Sequence, residues 1–154
     1  MCGISAILNT KVNVFYTIIQ SLEQLQNRGY DSAGIGVIKG KKFIVSKFAS
    51  CSDFTAIEKL KEVNHMASKI AIGHTRWATH GPKNDINSHP HVSSDGRVML
   101  VHNGIIENFN VLKQDLKHHG FSFSSNTDSE VIVNLIAFHY SKNNCPHKSI
   151  DCTI

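Results

Sequence analysis

Residues 1–8 read Met1-Cys2-Gly3-Ile4-Ser5-Ala6-Ile7-Leu8, a cysteine and a glycine followed at once by a short apolar run. The run Gly3–Leu8 predicts a buried strand that starts directly after the cysteine. If Met1 is removed, Cys2 carries both a thiol and a free α-amine, which titrates near ~7.7–8.0 and can accept the thiol proton. The stretch is consistent with an activated nucleophile, although Met-Cys-Gly alone more often has no such role.

Composition narrows the classes of protein that remain. The chain has 154 residues, of which 41% are hydrophobic and 18% charged, as in one globular domain. The net charge of +4 is mild and scattered, so we expect no nucleic-acid partner. No run approaches the ~20 apolar residues of a membrane span, so we expect no membrane partner. The four cysteines form no CxxC pair, which favours a reduced, cytoplasmic setting.

Periodicity along the chain predicts an α+β fold. The predicted strands cover residues 3–8, 34–38, 43–48, 70–73 and 98–101, and the predicted helices lie near 15–25, 54–63, 105–116 and 128–140. Thr127 and Glu130 have the spacing of a capping box for the last helix. The polar stretch from His74 to Gly96 predicts a long loop, and a loop of this length in a compact domain is usually either functional or disordered. We expect one domain over residues 1–140 and a polar, disordered tail over residues 141–154.

Several polar segments break these patterns. The Arg76 guanidinium suits capture of a carboxylate, and Trp77 beside it could cover a ligand. The Asn103 amide and the Gly104 N–H could form an oxyanion hole or an ordinary turn. Asp128 could bind an ammonium group or complement the helix dipole.

Ten histidines raise the question of a metal site. Their spacings match no standard zinc pattern, and Pro90 between His89 and His91 limits how both could face one ion. We therefore expect neither a metal nor another cofactor.

Together, five segments resemble one known family. They are Met1-Cys2-Gly3-Ile4, Arg28-Gly29-Tyr30-Asp31-Ser32-Ala33-Gly34, His74-Thr75-Arg76-Trp77-Ala78-Thr79-His80-Gly81, His102-Asn103-Gly104-Ile105-Ile106-Glu107-Asn108 and Thr127-Asp128-Ser129-Glu130. Their order resembles the glutaminase domain of the class II glutamine amidotransferases, in particular the glutamine–fructose-6-phosphate aminotransferase branch. The resemblance implies a four-layer αββα N-terminal-nucleophile hydrolase fold and L-glutamine as substrate.

The resemblance also implies a role for each matching residue. Cys2 would attack the glutamine amide, and Asn103 and Gly104 would stabilise the oxyanion. Arg28 and Gly29 would order the surroundings of the nucleophile. The substrate would be bound by Arg76, Trp77, Thr79, His80 and Asp128.

The chain departs from the family in length. The strands that follow the last helix in the family have no counterpart here, so we expect the fold to be C-terminally incomplete. The isomerase domain that binds fructose 6-phosphate is also absent, and a separate domain or chain would have to supply it. An inactive or partner-dependent fragment therefore remains the alternative to a working glutaminase.

Overall fold

A computed structural model describes residues 2–9, 11–63, 67–78 and 81–153. These residues form an α+β fold, as the sequence predicts. The strands are β1 Gly3–Leu8, β2 Ser32–Lys39, β3 Lys42–Ala49, β4 Ile70–Arg76, β5 His91–Val92 and β6 Met99–Leu100. The helices are α1 Phe15–Leu25, α2 Ala56–Lys61, α3 Phe109–His118, α4 Ser129–Asn143 and α5 Pro146–Asp151, and a short 3₁₀ turn spans Gln26–Arg28.

The main sheet has four antiparallel strands in the order β1-β4-β2-β3. Its register pairs Gly3 of β1 with Thr75 of β4, and Thr75 in turn with Ala33 of β2. The first residues of β1 and β2 therefore lie at the same end of the sheet as the last residues of β4. The residues that immediately precede β1 or follow β4 are therefore close together at that end of the sheet.

One face of this sheet packs against α1 and α2. Helix α1 buries Phe15, Ile18, Ile19 and Leu22, the one-sided spacing that its sequence predicts. Gly73 of β4 lets the helix approach closely, because a Cβ there would lie 3.1 Å from side-chain atoms of both Ile18 and Leu22. This contact is the centre of the hydrophobic core.

The other face of the sheet carries a second, smaller sheet of β5 and β6. Helix α4 packs against β5, so the layers follow in the order α, β, β, α, as expected for the fold. The two sheets approach closely at β2. A Cβ on Gly34 would overlap the carbonyl oxygen of His89, and one on Gly36 would overlap the Met99 sulfur.

Lys47 ties the segment before β5 to the main sheet. Its Nζ donates to the carbonyl oxygens of Ile86, Ser88 and Pro90 at 3.0, 2.7 and 3.3 Å. Burial lowers the pKa of Lys47 to about 8. The three hydrogen bonds offset the cost of placing an ammonium group between the two sheets.

The structure corrects the expected tail. Helix α4 runs to Asn143, past the predicted boundary at residue 140, and residues 146–151 form α5 where disorder was expected. Pro146 occupies the first turn of α5, where a missing N–H costs nothing. Ser149 is buried and donates to the Asn143 side chain at 2.9 Å. The polar composition of this segment therefore did not predict the helix that packs there.

Two local predictions were also wrong. Asp128, rather than Thr127, is the N-cap of α4, and no side chain caps its backbone. The Glu130 carboxylate instead accepts the backbone N–H groups of Ser124 and Ser125 at 2.9 and 2.7 Å, so it orders the preceding turn. The stretch predicted to be a loop contains β5, whose two residues pair with β6.

Among the described residues, no helix has both the length and the apolar character that crossing a bilayer would need.

The packing of β2 against the second sheet gives a stability prediction. Gly34→Ala should lower the free energy of unfolding by about 2–3 kcal/mol or more, because the new methyl group overlaps a backbone carbonyl. Gly40→Ala is the matched control. Gly40 has open space around it and a φ of +62°, so only a cost of about 1–2 kcal/mol is expected. Urea titration measures both, and equal losses would contradict the close packing.

Candidate active site

Cys2 lies at the end of the sheet where β4 ends. Its Sγ accepts the backbone N–H of Trp77 at 3.2 Å and lies 3.6 Å from the Trp77 carbonyl oxygen. Gly3 donates to the Thr75 hydroxyl at 3.2 Å, which fixes the chain directly after the cysteine. The thiol is therefore held beside the segment that the sequence singles out for ligand binding.

Asn103 joins this cysteine to the end of β4. Its Nδ2 donates to the Cys2 carbonyl oxygen at 3.0 Å, and its Oδ1 lies 2.7 Å from His74 Nε2. Because a carbonyl oxygen only accepts, the amide has one orientation, and His74 must carry its proton on Nε2. His74 thus keeps the Asn103 amino group turned towards Cys2.

A cavity of about 460 Å³ opens at this point, within the usual size of a small-molecule site. It is lined by seven of the residues that the sequence predicts for the site, namely Cys2, Arg28, Arg76, Trp77, Asn103, Gly104 and Asp128. Gly29 lies behind the cavity against the peptide of Thr75 and Arg76. Thr79 and His80 lie outside the described residues.

The charged groups of the cavity suit a zwitterion. Arg76 is buried and lines the cavity. Burial lowers the pKa of its guanidinium, while the charges of Cys2, Asp31 and Asp128 raise it. Asp128 is also buried and accepts the Ile106 N–H at 2.8 Å through Oδ2. One guanidinium and one carboxylate in a shared cavity can bind the carboxylate and ammonium groups of an amino acid.

Three buried histidines, one lining the cavity and two packed against that ring, were not predicted as part of the site. The rings of His74 and His91 pack on either side of His89, with centroids 4.3 and 4.7 Å from it. Burial lowers the pKa of His74 to about 4 and that of His91 to about 3, and it lowers the pKa of His89 further. All three imidazoles are therefore neutral near pH 7.

One sequence signal points to His74. Alternate residues of a strand share a face, so His74 and Arg76 of β4 lie on the same side of the sheet. The His89 ring lines the cavity, and neither of its nitrogens has a hydrogen-bond partner among the residues that the structure describes. Among the described residues, no group of three His, Cys, Asp or Glu side chains could hold a metal ion.

Comparison with known families gives one match. The family described as "Glutamine amidotransferase domain" matches residues 61–144, more than half of the chain.

Comparison with curated proteins gives relatives that include several glutamine–fructose-6-phosphate aminotransferases. The chain is 44% identical over 93% of its length to a glutamine–fructose-6-phosphate aminotransferase (isomerizing) of Clostridium acetobutylicum, and covers 23% of that protein. It is 45% identical over 92% of its length to the protein of the same name in Chlamydia trachomatis, again covering 23% of the relative. The chain thus spans about a quarter of the length of these relatives.

Solved structures with the same fold include two enzymes. One is the glutamine phosphoribosylpyrophosphate amidotransferase of Bacillus subtilis, with a TM-score of 0.74 and 26% identity over 99% of this chain. The other is described as the allosteric regulatory enzyme of purine biosynthesis, with a TM-score of 0.77 and 26% identity. This chain covers 32% of each.

The buried histidines predict an acid-sensitive fold. Their pKa values lie below the ordinary ~6.5, so as pH falls from about 6.5 towards 4 the unfolded chain binds protons that the folded chain does not. The free energy of unfolding should therefore fall with pH in this range, by up to ~1.4 kcal/mol per pH unit for each histidine.

Urea titrations between about pH 7 and pH 5 measure this slope. His91→Gln should reduce it by about one third, whereas His147→Gln, at an exposed position, should leave it unchanged. A slope that His91→Gln leaves intact would contradict the assignment of neutral buried imidazoles.

Proposed function

The chain belongs to the glutamine amidotransferase family, and we propose that it hydrolyses the side-chain amide of L-glutamine through a thioester on Cys2. One observation carries the proposal: the Asn103 amino group is held against Cys2 in a cavity that also contains Arg76 and Asp128. The residues proposed as the nucleophile, as an oxyanion donor and as the groups for both ends of an amino acid therefore line one cavity, which supports the proposal.

Binding of the amino-acid head would precede the chemistry. The Arg76 guanidinium would pair with the α-carboxylate, and Asp128 with the α-ammonium group. Trp77, with 44% of its surface exposed at the cavity mouth, would cover the ligand and exclude water. Thr79 and His80, by the family resemblance, would complete the contacts with the α-carboxylate end. The side-chain amide would then extend towards Cys2.

The reaction needs a base near the thiol. Removal of Met1 would supply it, since the α-amine of Cys2 could take the thiol proton, directly or through a water. The sulfur would attack the amide carbon, and the carbonyl oxygen would gain negative charge. The amino group of Asn103 and the N–H of Gly104 would donate to that oxygen.

Collapse of this tetrahedral intermediate would break the C–N bond. The nitrogen would leave as ammonia with the proton held by the α-amine, which leaves a glutamyl thioester on Cys2. Water would then cleave the C–S bond to release glutamate and restore the thiol. The balance is glutamine plus water to glutamate plus ammonia.

Two further residues would shape this environment. Arg28 lines the cavity beside Cys2 and would add positive charge where the oxyanion forms. Gly29 is buried, and a Cβ there would lie 2.8 Å from the Arg76 carbonyl carbon. Glycine at this position would therefore let the chain pass beneath Arg76.

The names of the relatives extend the proposal to an acceptor for the ammonia. Glutamine–fructose-6-phosphate aminotransferases are about four times as long as this chain. We propose that the ammonia serves glucosamine-6-phosphate formation from fructose 6-phosphate on an isomerase domain or chain. A cytoplasmic location would keep the Cys2 thiol reduced.

Covalent labelling tests the nucleophile. An electrophilic glutamine analogue such as diazo-oxo-norleucine should add once to the chain lacking Met1, as measured by intact mass. Cys2→Ala should abolish the adduct, whereas Cys51→Ala should not, because Cys51 is an exposed thiol outside the cavity. Absence of labelling in the Met1-free chain would support the inactive or partner-dependent alternative, and labelling of a chain that retains Met1 would contradict the role of the α-amine.

Double substitution tests the contact between His74 and Asn103. Asn103→Ala should lower the labelling rate about 10²–10³-fold, the usual effect of losing one oxyanion donor. His74→Leu should lower it about 10–100-fold, because the amide would lose its fixed orientation, and His74→Gln should recover part of the loss.

The two substitutions should not be additive. In the Asn103→Ala background, His74→Leu should change the labelling rate by less than about 3-fold, since no donor remains to be oriented. Independent, multiplying effects would show that His74 acts by another route.

A further inference from the structure

In the segment Arg28-Gly29-Tyr30-Asp31, the proposed function gives a role to the first two residues and none to the last two. Gly29 packs flat against the backbone of Thr75 and Arg76. The Tyr30 ring meets the Trp77 ring edge-on, with centroids 5.3 Å apart. Three consecutive residues, 29 to 31, thus contact the chain from residue 75 onwards, each one step further along.

The third of these contacts is the most specific. Ala78 donates its backbone N–H to Asp31 Oδ2 at 2.9 Å, and Lys83 Nζ lies 3.8 Å from Asp31 Oδ1. One carboxylate therefore holds the chain at residues 78 and 83, on both sides of Thr79 and His80. We call the described residues 76–78 and 81–83 the substrate-gripping segment.

Asp31 is itself firmly placed. Its N–H donates to the Arg76 carbonyl oxygen at 3.1 Å, and its carbonyl oxygen accepts the Ser50 N–H at 2.9 Å. The Ser50 hydroxyl donates to the Tyr30 carbonyl oxygen at 2.7 Å. Because the backbone is bonded on both sides, the carboxylate has a fixed position, and the side chain is only 20% exposed.

We infer that Asp31 is a positioning residue that holds the substrate-gripping segment in place and so sets the affinity of the cavity for the amino acid. The inference rests on the proposed function for its ligand. Asp31 makes no contact with Cys2 or Asn103 among the hydrogen bonds and ion pairs described, and it does not line the cavity. Its loss should therefore weaken binding and leave the chemical step nearly unchanged.

Labelling kinetics separate these two quantities. For Asp31→Ala, the inhibition constant KI of diazo-oxo-norleucine should rise about 10-fold or more, the usual effect of losing a hydrogen bond to a charged group. The maximal rate kinact should change by less than about 2-fold. Asp31→Asn keeps an acceptor for Ala78 and should raise KI only about 3-fold, and Lys83→Met should act similarly.

Fluorescence supplies a readout that needs no activity. Trp77 is the only tryptophan of the chain, so the emission reports this segment alone. Asp31→Ala should shift the emission to longer wavelength and increase acrylamide quenching, since the segment would leave its contact with Tyr30. Asp53→Ala is the matched control. Asp53 is exposed and accepts only from the neighbouring Ser52 hydroxyl among the described contacts, so neither readout should change.

The outcomes distinguish the inference from the proposed function. A wild-type chain that is not labelled would overturn the proposed function, while the Trp77 emission would still decide the position of the segment. Unchanged Trp77 emission and quenching in Asp31→Ala would overturn the inference, and so would a fall in kinact with KI unchanged. If Asp31→Ala does not fold, Asp31→Asn and Lys83→Met carry the same test with the smaller expected changes.

Discussion

The antiparallel register of β1 and β4 determines where every group of the cavity lies. Pairing of Gly3 with Thr75 places Cys2 opposite the end of β4, where Arg76 and Trp77 leave the sheet. A shift of one residue would turn the His74 and Arg76 side chains to the helix-covered face. The core enforces the register, because Gly73 of β4 and Gly3 of β1 both give α1 the room to approach.

The second constraint is the close contact between the two sheets. It buries His74, His89 and His91 together and keeps their rings uncharged, so these side chains can pack and donate without adding positive charge beside Arg76. The same burial weakens water's screening of that guanidinium and strengthens its attraction for a carboxylate. Three packed neutral imidazoles thus lie beside the Arg76 guanidinium. The same burial lowers the free energy of unfolding at low pH.

Sequence-based prediction succeeded for those features that depend on residues close together in the chain. The strand after Cys2 and the apolar face of α1 follow from local periodicity, the layer order follows from the family resemblance, and seven of the predicted site residues line one cavity. The prediction of a capping box at Thr127 and Glu130 was wrong, because the Glu130 carboxylate accepts hydrogen bonds from backbone N–H groups of the preceding turn instead. The roles of His74 and Asp31 depend on contacts across 29 and 47 positions, which periodicity does not encode.

Long-range assembly has a consequence for the nascent chain. The hydrogen bond from Asn103 to Cys2 spans 101 positions, and Asp128 comes later still. At ribosomal rates of ~5–20 residues per second, Cys2 precedes Asp128 by about 6 to 25 s. By the proposed function, the thiol would exist during that interval without its oxyanion donor and without the carboxylate that binds the ammonium group. A half-synthesised chain would therefore carry the Cys2 thiol without the groups proposed to direct it at an amide. Co-translational folding would then determine when Asn103 and Asp128 reach it.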